Sequence, residues 1–398
     1  MKWITGGVTA AQGFKASGVS AGIKRSRKPD LALVAADRLV TAAAVFTNNR
    51  VQAAPVLISR ARVSRGRAQA VLINSGCANC LTGHDGVQDA LALSRAVAHE
   101  LQVAERHILV ASTGLIGRRL PAARIARAIP RLVEQLGRAR HTTAARAMLT
   151  TDRRVKEAAV EAVIDGRPCR LGGMAKGAGM IAPSMATTLC VLTADAAAPA
   201  AWLRGALREA ADETFNRISV DGDMSTNDTV IVLASAHSGV TIRPGTPGAR
   251  TFMRMLRAVT GRLAALMVED GEGVSRVMEV RVAGARTGRE AQACARQVAS
   301  SLLVKTMLAG GNPNVGRIAA AAGASPARFD LSALEVRIGA HRVVWRGAAV
   351  PLRKAVLREL LRHPAVLVRI HLHAGRGEGR MLTGDLTEAY VRINARYT

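Results

Sequence analysis

A glycine-rich stretch that ends in a threonine has the clearest chemical potential in this chain. Residues 176–189 contain Gly177 and Gly179, then Thr187, and they lead into the apolar run 189–192. The apolar run predicts a buried strand that holds Thr187 rigidly at its start. The two glycines let the preceding backbone bend sharply. The pattern therefore predicts a hydroxyl that can reach the carbonyl of the residue before it.

Attack of Thr187 on the Ala186 carbonyl would move the acyl group from nitrogen to oxygen, and water would then cut the chain. The product is an N-terminal threonine whose α-amine can act as a base for its own hydroxyl. The alternative is that Thr187 is an ordinary strand residue after a loop. The rest of the sequence favours the nucleophile.

The elements that must position this threonine follow an α/β pattern. Residues 68–73 and 107–111 are short apolar strands, and apolar residues between positions 90 and 101 recur at helical spacing. Phe252, Leu256, Val259, Leu263 and Leu266 also share one helical face, which we interpret as core.

A smaller unit is expected from about residue 275. Residues 334–338 and 366–370 alternate apolar and polar side chains with a period of two, which predicts strands with one buried face. A chain of 398 residues exceeds what one hydrophobic core usually covers, so two domains or two large layers are expected.

Composition places the chain among globular proteins. No apolar run approaches 18 residues, and the N-terminus has no signal-peptide pattern, so we expect a cytoplasmic protein without membrane association. Five scattered cysteines do not form a disulfide framework. Cys77 and Cys80 have C-x-x-C spacing, but no second ligand pair accompanies them at zinc spacing.

The formal charge of +27 would attract polyanions. A basic nucleic-acid-binding protein is therefore a remote alternative. Ten aromatic residues are few for base stacking, and no recognition motif is present. We expect no specific nucleic-acid partner.

Short polar strings rich in Gly, Asn, Thr and Asp are spaced through the whole chain, where loops between strands usually build sites. They are residues 6–10, 45–49, 74–76, 112–117, 150–152, 172–189, 215–217, 221–229, 270–273, 313–317 and 385–394. In this order they resemble the ornithine acetyltransferase family, which moves an acetyl group from N-acetylornithine to glutamate in arginine biosynthesis. The resemblance implies a layered α/β sandwich (α+β) of the ornithine acetyltransferase and self-cleaving aminopeptidase type, with a smaller C-terminal α/β unit.

The resemblance implies cleavage between Ala186 and Thr187, giving an α chain of residues 1–186 and a β chain of residues 187–398. Thr187 then accepts the acetyl group of N-acetylornithine and passes it to glutamate. The two chains are expected to stay together as an α2β2 heterotetramer. No metal or cofactor is implied, and acetyl-CoA is a possible second acetyl donor. A related self-cleaving amidohydrolase or aminopeptidase, or a degenerate paralogue, is the alternative.

The resemblance also assigns the remaining site positions. Thr113 and Gly114 match the oxyanion pair, which suits a hydroxyl and a closely approaching N–H. The substrate-binding positions match Thr150, Lys176, Thr187, Glu272, Asn394 and Thr398. Lys176 suits a carboxylate and Glu272 an ammonium group. Thr150 is preferred to its neighbour Thr151 by its spacing to the nucleophile.

The acidic loop at Asp223, Asn227 and Asp228 has oxygen donors at close spacing, but it lacks the twelve-residue calcium-loop pattern. We interpret it as a hydrogen-bonded support for the threonine site.

The sequence departs from the family at a few positions. Cys77, Ser184, Asn312 and Val315 replace the usual residues. Thr398 stands four residues after Asn394, one fewer than the family's spacing.

Overall fold

The computed structural model describes residues 1–182, 188–311 and 313–396. Within them the chain forms two compact units. The first contains residues 1–180, 188–216 and 223–267, and the second contains residues 181–182, 217–222, 268–311 and 313–396. The nucleophile predicted at Thr187, the Ala186 carbonyl and Thr398 lie outside the described residues.

The strands of the described ranges are β1 Lys2–Trp3, β2 Phe14–Val19, β3 Leu31–Phe46, β4 Arg67–Cys77, β5 Ile108–Leu115, β6 Lys156–Ile164, β7 Arg167–Lys176, β8 Leu189–Ala194, β9 Ile218–Ser219, β10 Thr229–Ala234, β11 Val277–Ala285, β12 Glu335–Ile338, β13 His341–Trp345, β14 Ala348–Ala349, β15 Ala365–His371 and β16 Gly377–Gly384.

The α-helices there are α1 Ala54–Val63, α2 Gly83–Leu101, α3 Ala122–Glu134, α4 His141–Met148, α5 Ala200–Glu213, α6 Pro247–Glu269, α7 Gly288–Ser300, α8 Leu302–Gly310, α9 Val315–Gly323, α10 Lys354–Arg362 and α11 Glu388–Asn394. None of them is long and apolar enough to cross a membrane.

One mixed sheet organises the first unit. Nine strands of the described chain form it, in the order β1-β6-β7-β8-β10-β3-β4-β5, with β2 paired to β3. Strand β8 lies between antiparallel β7 and parallel β10, and Leu189 is opposite both Lys176 and Thr229. The end of β7 and the starts of β8 and β10 therefore meet at one edge of the sheet.

Helices pack on both faces of this sheet, which is why β3 is apolar on both sides. Leu31 and Leu33 pack with residues of α2 and α3, whereas Ala32 and Val34 pack with residues of α4. A strand buried on both faces is expected to be a continuous apolar run, as β3 is from residue 31 to 36. The predicted α/β fold is confirmed.

Helix α6 contains the predicted apolar face with one shift. Phe252, Leu256, Val259 and Leu263 are fully buried, but Leu266 is only partly buried. Met267 takes the last buried position instead, four residues after Leu263. The periodicity of 3.6 residues allows either step, and the packing selects the second.

The second unit is built on a seven-stranded sheet in the order β14-β13-β12-β15-β11-β16-β9, counted over the described residues. Met278, Val280 and Val282 of β11 are buried and pack in one core with residues of α7, α8 and α9. Glu279 and Arg281 alternate with them and therefore lie on the opposite face of the sheet.

Candidate active site

Lys176 connects two of the predicted site residues in the first unit. Its ammonium group donates a hydrogen bond of 2.8 Å to Thr150 Oγ1 and a longer one of 3.4 Å to Thr113 Oγ1. The lysine side chain is almost completely buried at the end of β7. Thr150 in turn donates its hydroxyl hydrogen to Asp152 Oδ2 at 3.5 Å. Thr113 only accepts from the ammonium group, so it keeps its own hydrogen available to donate elsewhere.

Asp152 balances the charge of this buried lysine. Its carboxylate lies 2.7 Å from Lys156 Nζ and 3.7 Å from Lys176 Nζ, and all three side chains are 0–3 % exposed. The amides of Thr150 and Gly177 also donate to it, at 3.0 and 2.8 Å. One anion thus orders two lysines and both backbone segments that carry predicted site residues.

Burial alone would raise the pKa of the Asp152 carboxyl. The charges of Lys176 and Lys156, with hydrogen bonds from Lys156 and from the Thr150 amide, outweigh burial and hold this pKa well below its ordinary value. The carboxylate is therefore ionised at neutral pH.

Gly114 lies at a close approach between two strands. It has a φ of +130°, and a Cβ at this position would lie 2.3 Å from the carbonyl carbon of Gly76 on β4. Only glycine fits there, because the left-handed φ and the backbone contact both exclude a side chain. The backbone beside Thr113 is thereby fixed by the β4–β5 pairing.

The amide of Asn227 holds the same region from another direction. It donates to the carbonyl of Ser112 at 2.8 Å and to that of Ala78 at 2.7 Å. Asn227 is buried, and its contacts reach the strand that carries Thr113. The 221–229 string is therefore hydrogen-bonded to β5 through Asn227, while its support of the Thr187 site stays a prediction.

Asp228 contacts the first described residue after the predicted cleavage site. Its Oδ1 accepts the Thr188 amide at 2.9 Å, and the Thr229 amide donates to the Thr188 carbonyl at 2.8 Å. Asp228 is completely buried, and its Oδ2 is one of two buried side-chain polar atoms without a hydrogen bond in the described part of the chain. The start of β8 is thus held on both its N–H and its C=O.

Burial raises the pKa of the Asp228 carboxyl well above its ordinary value. The Thr188 hydrogen bond, the charge of Lys176 and the Ser225 hydroxyl oppose this shift and are too weak to reverse it. Burial therefore favours the protonated form of this carboxyl, which holds the Thr188 amide.

Lys24 is a further cation beside Lys176. Its side chain packs on Gly76, where a Cβ would lie 3.1 Å from Lys24 Cγ, and its ammonium group donates to the Pro29 carbonyl at 2.8 Å. Burial and the charge of Lys176 lower the pKa of Lys24 to about 8, against the opposing charges of Asp30 and Asp152.

Glu272 and Asn394, the other two predicted substrate ligands, meet in the second unit. Asn394 Nδ2 donates to Glu272 Oε2 at 2.8 Å and to the Tyr390 carbonyl at 3.1 Å. Glu272 is buried, whereas Asn394 ends helix α11 at the surface. This pair belongs to the second unit, whereas Lys176 belongs to the first.

Asp221 holds the backbone at Ile181, near the end of the described range 1–182. It accepts the Ile181 amide at 2.9 Å and the Tyr390 hydroxyl at 3.2 Å. The Val220 amide donates to the Ile181 carbonyl at 2.9 Å. The N–H and the C=O of Ile181 are thereby both hydrogen-bonded.

Sequence reasoning missed Asp152 and Lys24 as members of the site, and it assigned Asp228 to a supporting loop without a role in proton transfer. Asp152 and Asp228 belong to the polar strings 150–152 and 221–229, so the sequence indicated that they lie near a site. It did not indicate which groups they bind. Lys24 begins the basic run 24–28, whose composition carries no signal for a partly buried lysine.

We predict that Asp152→Asn destabilises the protein by about 3–5 kcal/mol, because it leaves two buried ammonium groups without their anion. The exposed pair partner Asp85, 2.9 Å from Arg119, is the matched control, and Asp85→Asn should cost under about 1 kcal/mol. Urea unfolding at neutral pH measures both.

The loss of stability in Asp152→Asn should also depend on pH. The folded pKa of Asp152 lies below the unfolded value of about 3.9, so the carboxylate stabilises fully above about pH 4 and loses its effect on further acidification. Equal effects of the two substitutions at neutral pH would contradict the role of Asp152.

Comparison with known proteins gives relatives along the whole chain. A protein from Symbiobacterium thermophilum named arginine biosynthesis bifunctional protein ArgJ is 44 % identical over 400 residues, covering 100 % of both chains. A protein of the same name from Thermosynechococcus vestitus is 43 % identical over 415 residues, covering 99 % of this chain and 98 % of its own.

A solved structure of ornithine acetyltransferase from Mycobacterium tuberculosis, complexed with ornithine, is 40 % identical. It covers 46 % of this chain and 98 % of its own, with a TM-score of 0.42. The model of the ArgJ family matches residues 15–398. The family predicted from the polar strings is confirmed: the chain belongs to the ArgJ family.

Proposed function

We propose that this protein is an acetyltransferase of arginine biosynthesis that transfers the acetyl group of N-acetylornithine to glutamate. Membership of the ArgJ family supports this activity. The observation that carries the site assignment is the Lys176 ammonium group, which bonds to both Thr150 and Thr113 in a buried position. Three residues from distant parts of the sequence are thereby in contact.

Self-cleavage is the first step of the proposed mechanism. The Thr187 hydroxyl attacks the Ala186 carbonyl, the amide C–N bond breaks, and the proton of the hydroxyl ends on the freed amine. Water then hydrolyses the ester and restores the hydroxyl. The hydrogen bond from the Thr188 amide to Asp228 supports a fixed position for the residue that follows the cut.

Acetyl transfer then uses the new N-terminal threonine. Its α-amine takes the hydroxyl proton, the oxygen attacks the acetyl carbonyl, and the amine of ornithine leaves with the proton. We assign the Thr113 hydroxyl and the Gly114 amide to the oxyanion. Thr113 suits this role because it accepts from Lys176 and keeps its own hydrogen to donate.

The second half-reaction reverses the first. The amine of glutamate attacks the acetyl ester, the C–O bond breaks, and Thr187 recovers its proton. Both substrates carry an α-carboxylate, for which we propose Lys176 and Thr150 as ligands. We propose Glu272 and Asn394 as ligands of the ammonium group of ornithine, and Thr398 as a further substrate ligand.

Three further features belong to the proposal. Acetyl-CoA serves as a second acetyl donor for glutamate, no metal or other cofactor takes part, and the cleaved chains assemble as an α2β2 heterotetramer in the cytoplasm. The names of the relatives, which describe bifunctional proteins, support the second donor.

We also propose that Asp228 takes part in self-cleavage. It holds the Thr188 amide, and its neutral carboxyl can give a proton to the departing nitrogen while the anion receives the proton of the hydroxyl, so that no net charge is left behind. The buried Oδ2 without a hydrogen bond supports this role, because an idle polar atom in a core costs free energy.

Thr187→Ala should give an uncut chain without acetyl transfer from N-acetylornithine to glutamate. Thr187→Ser should still cleave and retain part of the activity, because a hydroxyl remains. Thr188→Val is the matched control, since it removes the neighbouring buried hydroxyl and should leave cleavage intact. Intact mass and product formation are measured on all four proteins.

Cleavage and acetyl transfer that persist in Thr187→Ala would overturn the nucleophile. A wild-type chain that cleaves but releases only acetate from N-acetylornithine, with or without glutamate, would replace the transferase by a hydrolase.

Asp228→Asn should slow self-cleavage at least tenfold, since the amide keeps the shape and an acceptor for Thr188 but cannot exchange a proton. The matched control is Asp195→Asn, because Asp195 is also buried with a raised pKa, from burial, and follows the opposite end of β8. Uncleaved chain is followed by mass during cell-free synthesis between about pH 6 and 9.

The wild-type rate should fall where the Asp228 carboxyl ionises, and this step should be absent in Asp228→Asn. Equal cleavage rates for Asp228→Asn and the wild type would exclude proton transfer by Asp228.

A further inference from the structure

Four arginines stand in register across the second-unit sheet. Arg337 of β12 is opposite Arg369 of β15, Arg369 is opposite Arg281 of β11, and Arg281 is opposite Arg380 of β16. Facing residues of neighbouring strands point to the same side of a sheet and are about 4.8 Å apart. The row therefore places four guanidinium groups across about 14 Å of the sheet face opposite the core.

Such a row is unfavourable without anions, because like charges directly opposite each other destabilise a sheet. Glu279 makes two hydrogen bonds of 2.9 Å with Arg281, and Glu335 bonds to Arg337 at 2.7 Å. Glu335 also accepts from Arg342 on β13 at 3.0 Å, so its charge is shared. These carboxylates offset only part of the positive charge.

A cavity of about 700 Å³ lies over this row. It is lined by all four arginines, by Arg217 and by two carboxylates, which leaves a net positive charge. The volume lies within the range of about 300–1,000 Å³ that is usual for small-molecule sites. Arg369 and Arg281 are exposed. Glu279 holds Nε and Nη2 of Arg281, and the Gly339 carbonyl accepts from Nη1 of Arg369, so Nη1 of Arg281 and Nη2 of Arg369 are the donors directed to a ligand.

We propose that this cavity binds a small phosphorylated molecule, with the arginine row contacting two or more of its phosphate groups. The planar guanidinium group pairs with phosphate through two parallel hydrogen bonds, which lysine cannot do. A row of adjacent forks therefore suits a polyphosphate chain. This site is separate from the residues of the proposed acetyl transfer and does not depend on that function.

Other occupants fit the face less well. A second copy of the chain also carries a formal charge of +27, so its charge opposes close approach. Single-stranded nucleic acid usually needs exposed aromatic rings on which bases stack. Trp345 of β13 is exposed, but Arg342 occupies one face of its ring with the guanidinium carbon 3.8 Å from the ring centroid, and Trp345 does not line the cavity.

Calorimetric titration of the wild-type protein with inorganic tripolyphosphate, and separately with ATP, tests the proposal. Both should bind at about 150 mM salt. Equal affinities would assign the binding to the phosphate chain, and tighter ATP would add a contribution from the nucleoside. The double variant Arg281→Gln with Arg369→Gln should weaken both ligands at least tenfold.

The matched control is Arg127→Gln with Arg131→Gln, which removes two exposed charges from helix α3 of the first unit. It should bind like the wild type, and acetyl transfer should be unchanged in both double variants. Thermal melting checks that each variant is folded, and loss of the opposed arginines should not lower the melting temperature.

Absence of binding to the wild type would overturn the proposal. An equal loss of affinity in Arg127→Gln with Arg131→Gln would show that the binding depends only on the net charge of the protein. That result would also overturn the proposal. Tighter binding of a single-stranded oligonucleotide that is lost in Arg281→Gln with Arg369→Gln would assign the face to nucleic acid instead.

Discussion

The candidate site depends on one buried carboxylate, that of Asp152. It neutralises Lys156 and compensates Lys176, and it accepts backbone amides from the segments after α4 and β7. Without an anion at this position, Lys176 would be expected to lose its proton or to turn toward water. The bonds from Lys176 to Thr150 and Thr113, which define the site, would then be lost. The proposed chemistry therefore requires that Asp152 balances the charge of the buried lysines.

The sheet of the first unit explains why these contacts occur where they do. Lys176 ends β7, Thr188 precedes β8, and Thr229 begins β10. These three chain segments therefore lie side by side at one edge of the sheet. Asp228 lies at the same edge, and burial raises its pKa, whereas the neighbouring lysines lower the pKa of Asp152. The difference follows from their partners, because two ammonium groups surround Asp152 while Asp228 has one amide and one hydroxyl beside a more distant lysine. Two carboxyl groups whose pKa values shift in opposite directions can serve different roles.

The sequence predicted the fold class and the polar strings, because apolar periodicity and loop composition are local signals. It also placed Thr113, Thr150 and Lys176 in one site through the family resemblance. It could not predict that Lys176 bonds to both threonines, since side-chain contacts across 26 and 63 residues depend on strand order and register. The same limit applies to the arginine row, where each member is an ordinary outward strand residue until pairing aligns Arg281 with Arg369. Contributions to the site from Thr187 and Thr398 stay predictions.

The covalent intermediate is the central claim, and it can be observed directly. Cleaved wild-type protein is mixed with N-acetylornithine in the absence of glutamate, quenched in acid, and both fragments are analysed by intact mass and peptide sequencing. The account predicts one added acetyl group on Thr187 of the C-terminal fragment, which disappears when glutamate is added and reappears as N-acetylglutamate. Product formation without any acetylated fragment, or an acetyl group confined to other residues, would contradict the acetyl-threonine mechanism.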